Sequence, residues 1–141
     1  MIALGGRFAA GAKPGQLIYL MGDLGSGKTT FVRGFLRGLG HLGSVKSPTY
    51  TLLEPYDATQ FPVSHFDLYR LQNAEELEGL AIRDHLNDQR ICVIEWPEKG
   101  GGVLPAADCT IRFEFAEPVG RSVSFHCDTE LGRSLCACVE E

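Results

Sequence analysis

The eight residues Gly22-Asp-Leu-Gly-Ser-Gly-Lys-Thr29 constrain this chain more than any other stretch. They satisfy every fixed position of the pattern G-x-x-x-x-G-K-[ST], the phosphate-binding P-loop. The flanks agree with it. Leu17-Ile-Tyr-Leu-Met21 is a short apolar run that predicts a buried strand. Phe31, Val32, Phe35, Leu36 and Leu39 recur at helical spacing, and Gly40 is a natural stop. Strand, glycine loop and helix in that order are the context such a loop requires.

The residue types follow from the chemistry. Gly22, Gly25 and Gly27 free the backbone for conformations that a side chain blocks. The amides of the loop can then point at phosphate oxygens, helped by the partial positive charge of the helix N-terminus. The expected nucleotide-binding set is Gly22, Asp23, Leu24, Gly25, Ser26, Gly27, Lys28, Thr29 and Thr30. Lys28 is expected to reach the β- and γ-phosphates of ATP, and the Thr29 hydroxyl to ligate Mg²⁺.

Along the chain, residues 1–13 predict a short amphipathic helix with Leu4 and Phe8 on one side, ended by Pro14-Gly15. Residues 41–55 carry hydroxyls, two prolines and no helical period, and read as a loop leading into a short extended segment. A hydroxyl-rich loop after a P-loop helix is where nucleotide switches place cation and γ-phosphate contacts. Of Ser47, Thr49 and Thr51, Thr49 is favoured.

Pro62–Tyr69 predicts a strand ending near Asp67, and Arg90–Trp96 a more apolar one ending at Glu95. Between them, Asn73-Ala-Glu-Glu76 has the form of a capping box opening one or two short helices over 74–86. Lys99-Gly-Gly-Gly-Val103 reads as a flexible link. Thr110–Phe115 and Ser122–Cys127 alternate strictly and predict an antiparallel pair, followed by a closing amphipathic helix over 129–139.

The fold class expected is therefore α/β: a P-loop NTPase-like domain spanning 1–141, with a mainly parallel central sheet flanked by helices and an antiparallel C-terminal strand pair. Ligands of such sheets bind at the carboxyl ends of the strands. That gathers the P-loop, Asp67 and Glu95 on one edge. Hydrolysis needs an acid for Mg²⁺ and a group that orients or deprotonates water. The pattern leaves open which carboxylate does which. The expected catalytic set is Lys28, Asp67 and Glu95, and the metal set Thr29, Asp67 and Glu95. Arg70 is expected to pair with Asp67, His65 to be a satisfied sheet residue, and Trp96, Tyr50, Tyr56 and Tyr69 to pack.

A formal net charge of −5 over 141 residues argues against broad electrostatic binding of RNA or DNA by this chain alone. Five cysteines, an odd count with no C-x-x-C, read as free thiols in a reducing cytoplasm. No transmembrane-length apolar run occurs.

Four stretches taken together are similar to the bacterial TsaE (YjeE) family: Gly22–Phe31, Val45-Lys-Ser-Pro-Thr-Tyr-Thr-Leu52, His65-Phe-Asp-Leu-Tyr-Arg-Leu71 and Ile94-Glu-Trp-Pro97. The resemblance implies an ATPase needed for the threonylcarbamoyl modification of an adenosine beside the anticodon of certain tRNAs. It implies TsaD and TsaB as protein partners, ATP or ADP as ligand, and tRNA met only through the complex. It also implies a Walker B role for Asp67, a hydrolytic role for Glu95 and a switch-like loop over Ser47–Thr51. Members usually begin with a further strand ahead of the first helix, whereas this chain starts almost at Leu4.

Three other readings compete. A small-molecule kinase needs an acceptor pocket and a lid for which 141 residues leave little room. A GTP switch lacks an N-K-x-D motif here. A non-catalytic adaptor leaves Asp67 and Glu95 without work.

Overall fold

A computed structural model describes residues 1–139. Six strands form one mixed sheet: β1 (Leu17–Met21), β2 (Leu53–Tyr56), β3 (Val63–Asp67), β4 (Ile91–Glu95), β5 (Cys109–Phe115) and β6 (Arg121–Cys127), in spatial order β2-β3-β4-β1-β5-β6. The four central strands are parallel to one another. Both edges are antiparallel: β6 on β5, as the alternation predicts, and β2 on β3, which it does not. The short β2 is reached by the hydroxyl-rich loop, long enough to reverse direction.

Helices cover both faces. On one, α1 (Ile2–Ala9) and α2 (Lys28–Gly38) pack with α5 (Glu130–Ala137). The core there is aromatic, with Phe8, Phe31 and Phe113 fully or nearly fully buried. Phe8 and Phe31 meet edge-on at 5.4 Å, as do Phe31 and Phe113 at 5.5 Å. Glycine sets the closeness of α1 and α2. A Cβ on Gly34 would lie 2.1 Å from the Ile2 carbonyl oxygen, and one on Gly5 2.2 Å from that of Phe31. On the other face, α3 (Glu76–Gly79) and α4 (Ile82–His85) cover Leu17, Phe66, Cys92 and Ile94. The two-residue period of a strand divides these sets: Ile18, Leu20, Ile91 and Val93 face α2, whereas Leu17, Cys92 and Ile94 face α3 and α4.

Several expectations need correction. Over 74–86 the two short helices form, but the capping box does not: no side chain caps α3, and the Glu76 amide is met by the Asn73 backbone carbonyl instead. The presumed flexible link is a 3₁₀ stretch, Pro97–Val103, kinked at Gly101. Pro97 presets its first turn, and Leu104 closes over Gly100, where a Cβ would lie 2.5 Å from Leu104 Cδ1. The cysteines are not all free, because Cys127 and Cys136 form a disulfide between β6 and α5. No helix among the described residues is long and apolar enough to cross a membrane.

Candidate nucleotide site

The chain leaves β1 into the glycine loop and enters α2 at Lys28, beside the carboxyl ends of β4 and β3. Gly25 and Gly27 have φ of 76° and 108°, left-handed values that suit glycine. Gly22 is needed for space: a Cβ there would sit 2.6 Å from the Phe113 carbonyl oxygen. Ser26 is fully buried within the loop, and its hydroxyl has no partner among the described residues.

Asp67 and Glu95 end adjacent parallel strands and are paired in register. Each shares the parity of the residues that face α2, so both carboxylates lie on the side of Thr29. Both are buried, at 4% and 2% exposure, and Lys28 at 5% lies beside them. Thr29 Oγ1 donates to Glu95 Oε2 at 3.3 Å. Thr49 Oγ1 donates to Asp67 Oδ2 at 3.2 Å, and the Tyr69 amide to Asp67 Oδ1 at 3.0 Å. Ser47 joins this set through a 2.7 Å hydroxyl contact with Thr49. A cleft of about 200 Å³ is lined by Leu24, Gly25, Lys28, Thr29, Asp67 and Glu95, among others.

Electrostatics follow from burial. Desolvation pushes the Asp67 carboxyl above its ordinary value, and the neighbouring Glu95 charge adds to the rise. The Tyr69 amide and Thr49 hydroxyl pull the other way. Desolvation lowers the Lys28 ammonium, opposed by Glu95 and Asp67. Lys28 Nζ donates to the Gly22 carbonyl oxygen and lies 4.0 Å from the centroid of the Trp96 ring. Trp96 has φ of 58°, a rare value for a bulky residue, and is backed by Tyr69 at 5.1 Å.

The structure thus brings the expected loop residues, Thr49, Asp67 and Glu95 together. Asp23 and Leu24 are exposed at the mouth, and Thr51 bonds to none of them. Arg70 does not pair with Asp67. Its guanidinium lies 4.2 Å from the centroid of Tyr50, and Tyr50 is 81% exposed rather than packed. The turn after β3 carries Arg70 outward while Asp67 points in. His65, expected only as a satisfied sheet residue, joins the site, and its Nδ1 has no hydrogen-bond partner among the described residues. It is fully buried, and its Nε2 meets Glu95 Oε2 at 2.6 Å. Its place two residues before Asp67 gives the face, but the contact with Glu95 depends on the register of β3 against β4.

Known proteins resemble this chain in sequence and in fold. The family model described as "Threonylcarbamoyl adenosine biosynthesis protein TsaE" matches residues 1–123. The tRNA threonylcarbamoyladenosine biosynthesis protein TsaE of Haemophilus influenzae is 50% identical over 119 residues, covering 84% of this chain and 75% of that one. Its Bacillus subtilis namesake is 38% identical over 117 residues, covering 83% and 73%. The crystal structure of Bacillus subtilis YdiB superposes with a TM-score of 0.80 at 31% identity, covering 98% of this chain and 85% of that one. On sequence and fold alike, this chain belongs to the TsaE family of threonylcarbamoyl adenosine biosynthesis proteins.

Proposed function

We propose that this protein binds Mg²⁺ and ATP at the P-loop and hydrolyses ATP in the cytoplasm in support of tRNA threonylcarbamoyladenosine biosynthesis, acting on a complex of TsaD and TsaB. One observation carries the reading: Lys28, Thr29, Asp67 and Glu95, from three separate stretches, converge in one cleft at the carboxyl ends of β1, β3 and β4.

The residues suit both ligands. Two buried carboxylates beside a threonine hydroxyl form a hard-oxygen donor set of the kind Mg²⁺ takes. The unpartnered Ser26 hydroxyl and the glycine backbone suit a phosphate chain. Thr29 and Asp67 would hold the cation, which when bound would neutralise phosphate charge, and Glu95 is left for the water. Lys28 would exchange its contact with the Gly22 carbonyl for phosphate oxygens.

The two acids divide the remaining work. Both Asp67 oxygens are engaged, by Thr49 and the Tyr69 amide. The hydrogen bonds to Glu95 fall on Oε2 alone, leaving Oε1 to accept from a water in the cleft. That water attacks the γ-phosphorus, the bond to the β-phosphate oxygen breaks, and Glu95 takes the water's proton. Thr49 ties the preceding loop to Asp67, so loop order and the acid end of the site are linked.

Purified protein should hydrolyse ATP slowly alone and faster when TsaD and TsaB are titrated in. A stabilising group supplied in trans can contribute about 10³–10⁵ in rate. An unchanged rate with partners would defeat the partner part of the proposal. Tight, salt-sensitive tRNA binding by the isolated chain would contradict the reading that tRNA is met through other subunits.

A further inference from the structure

The family match ends at residue 123, and a cluster of sulfur atoms lies largely beyond it. Cys109 on β5, Cys127 on β6 and Cys136 on α5 bring their Sγ atoms within 4.8 Å of one another. Cys109 and Cys127 are register partners across the hairpin, with Sγ atoms 3.2 Å apart. Cys136 reaches them because α5 folds back. Thr129 caps that helix, accepting from the Gly132 amide and donating to Asp108 Oδ1, next to Cys109. Cys109 is fully buried, whereas Cys127 and Cys136 are half-buried.

We infer that Cys109, Cys127 and Cys136 form a thiol-gated site for a soft d¹⁰ cation such as Zn²⁺: closed while Cys127–Cys136 is oxidised, and open once it is reduced. A small-molecule dithiol supplies the two electrons and two protons. It becomes a disulfide, and Cys127 and Cys136 become thiols. Binding then exchanges thiol protons for the metal. Thiolate sulfur is the donor that selects Zn²⁺ or Cu⁺ over Mg²⁺. With Zn–S bonds of about 2.3 Å, ligand sulfurs stand roughly 3.8 Å apart. Cys109 and Cys127 lie close to that already, and only the bonded pair must open.

Internal disulfide exchange is the competing use of the third cysteine. The two uses differ in product: exchange leaves a Cys109–Cys127 disulfide and holds no metal, whereas the reduced trio holds the cation on three sulfurs already gathered in one place.

The full chain, reduced with dithiol and freed of excess, is titrated with Zn²⁺ against a competing indicator, and with Cd²⁺ while its thiolate charge-transfer absorption is followed. One equivalent should bind with that absorption, and the oxidised protein should bind none. Cys127→Ser and Cys136→Ser, at half-buried positions, should each weaken Zn²⁺ binding by roughly a hundredfold. Cys109→Ala should do the same, with a circular-dichroism melt reporting whether it folds. The double variant Cys92→Ala, Cys138→Ala should bind like the parent. No thiolate absorption, or unchanged affinity in Cys127→Ser and Cys136→Ser, overturns the site. ATP turnover is not the readout, so failure here is separate from failure of the nucleotide reading.

Discussion

Strands β3 and β4 differ from the hairpin β5–β6 in one instructive respect. All five positions of β3 and all five of β4 are buried, including His65, Asp67 and Glu95. The hairpin alternates in the ordinary way, buried toward the helices and open on the other side, and β6 has no fully buried position. Charges on the hairpin stand in water and cost little. Those on β3 and β4 have lost their hydration, and the loss is offset by the neighbouring Lys28 ammonium and by local donors: Thr29 and His65 for Glu95, Thr49 and the Tyr69 amide for Asp67. Folding alone does not favour such an arrangement. Its cost marks the carboxyl ends of β3 and β4 as the working part of the sheet.

Four experiments test that contrast. The largest effect should come from Glu95→Gln, which keeps the shape and removes the proton acceptor. ATP hydrolysis should fall about 10²- to 10⁴-fold while nucleotide binding persists. Parent-like turnover would remove Glu95 from the chemistry. Next is packing. Phe31→Ala, in the aromatic core beneath β1, should cost about 3–5 kcal/mol in denaturant unfolding. Phe115→Ala, at the half-exposed end of β5, should stay within about 0.5 kcal/mol. Equal costs would erase the distinction between centre and edge.

The third effect concerns Lys28→Ala. ATP at a hundredfold its dissociation constant should stabilise the parent by about 2.7 kcal/mol and this variant hardly at all, as read by thermal shift. An equal shift in both would break the phosphate assignment. The smallest effect is one of pH. The folded-state pKa of Asp67 is raised above its unfolded value, so the folded protein binds this proton more tightly. The ionised carboxylate is then a penalty, absent below the unfolded pKa and fully present above the folded one. Asp67→Asn should therefore melt higher than the parent at neutral pH, and that advantage should vanish as pH falls through the unfolded carboxylate range. A gain independent of pH would assign it to packing.

Legibility in the sequence tracked locality. The P-loop unit needs only contiguous residues, and the hairpin declares itself by its period. Both match the structure. Asp67 and Glu95 were assigned to one edge because parallel strands align their carboxyl ends, but the His65–Glu95 contact depends on register across 30 residues, which no local pattern encodes. Arg70 was misplaced for the same reason, since a turn decides where its long side chain goes. The three glycines after Lys99 carry no side-chain signal, and only the first of them, Gly100, packs closely, under Leu104. Cys127 and Cys136 look unrelated until α5 doubles back on β6.

The position of β1 has a consequence for how the protein is made. This strand is synthesised early, yet its two neighbours are β4 and β5, which begin only at Ile91 and Cys109. At about 5–20 residues per second, an apolar strand waits several seconds with both hydrogen-bonding edges unpaired. The α1–α2 pair, held close by Gly5 and Gly34, covers one face of the strand and neither edge. Nucleotide cannot rescue such an intermediate, because Glu95 has not yet been made. An unpaired apolar strand of this kind is the hazard in a partly made chain, and Leu17–Met21 is where this fold carries it longest.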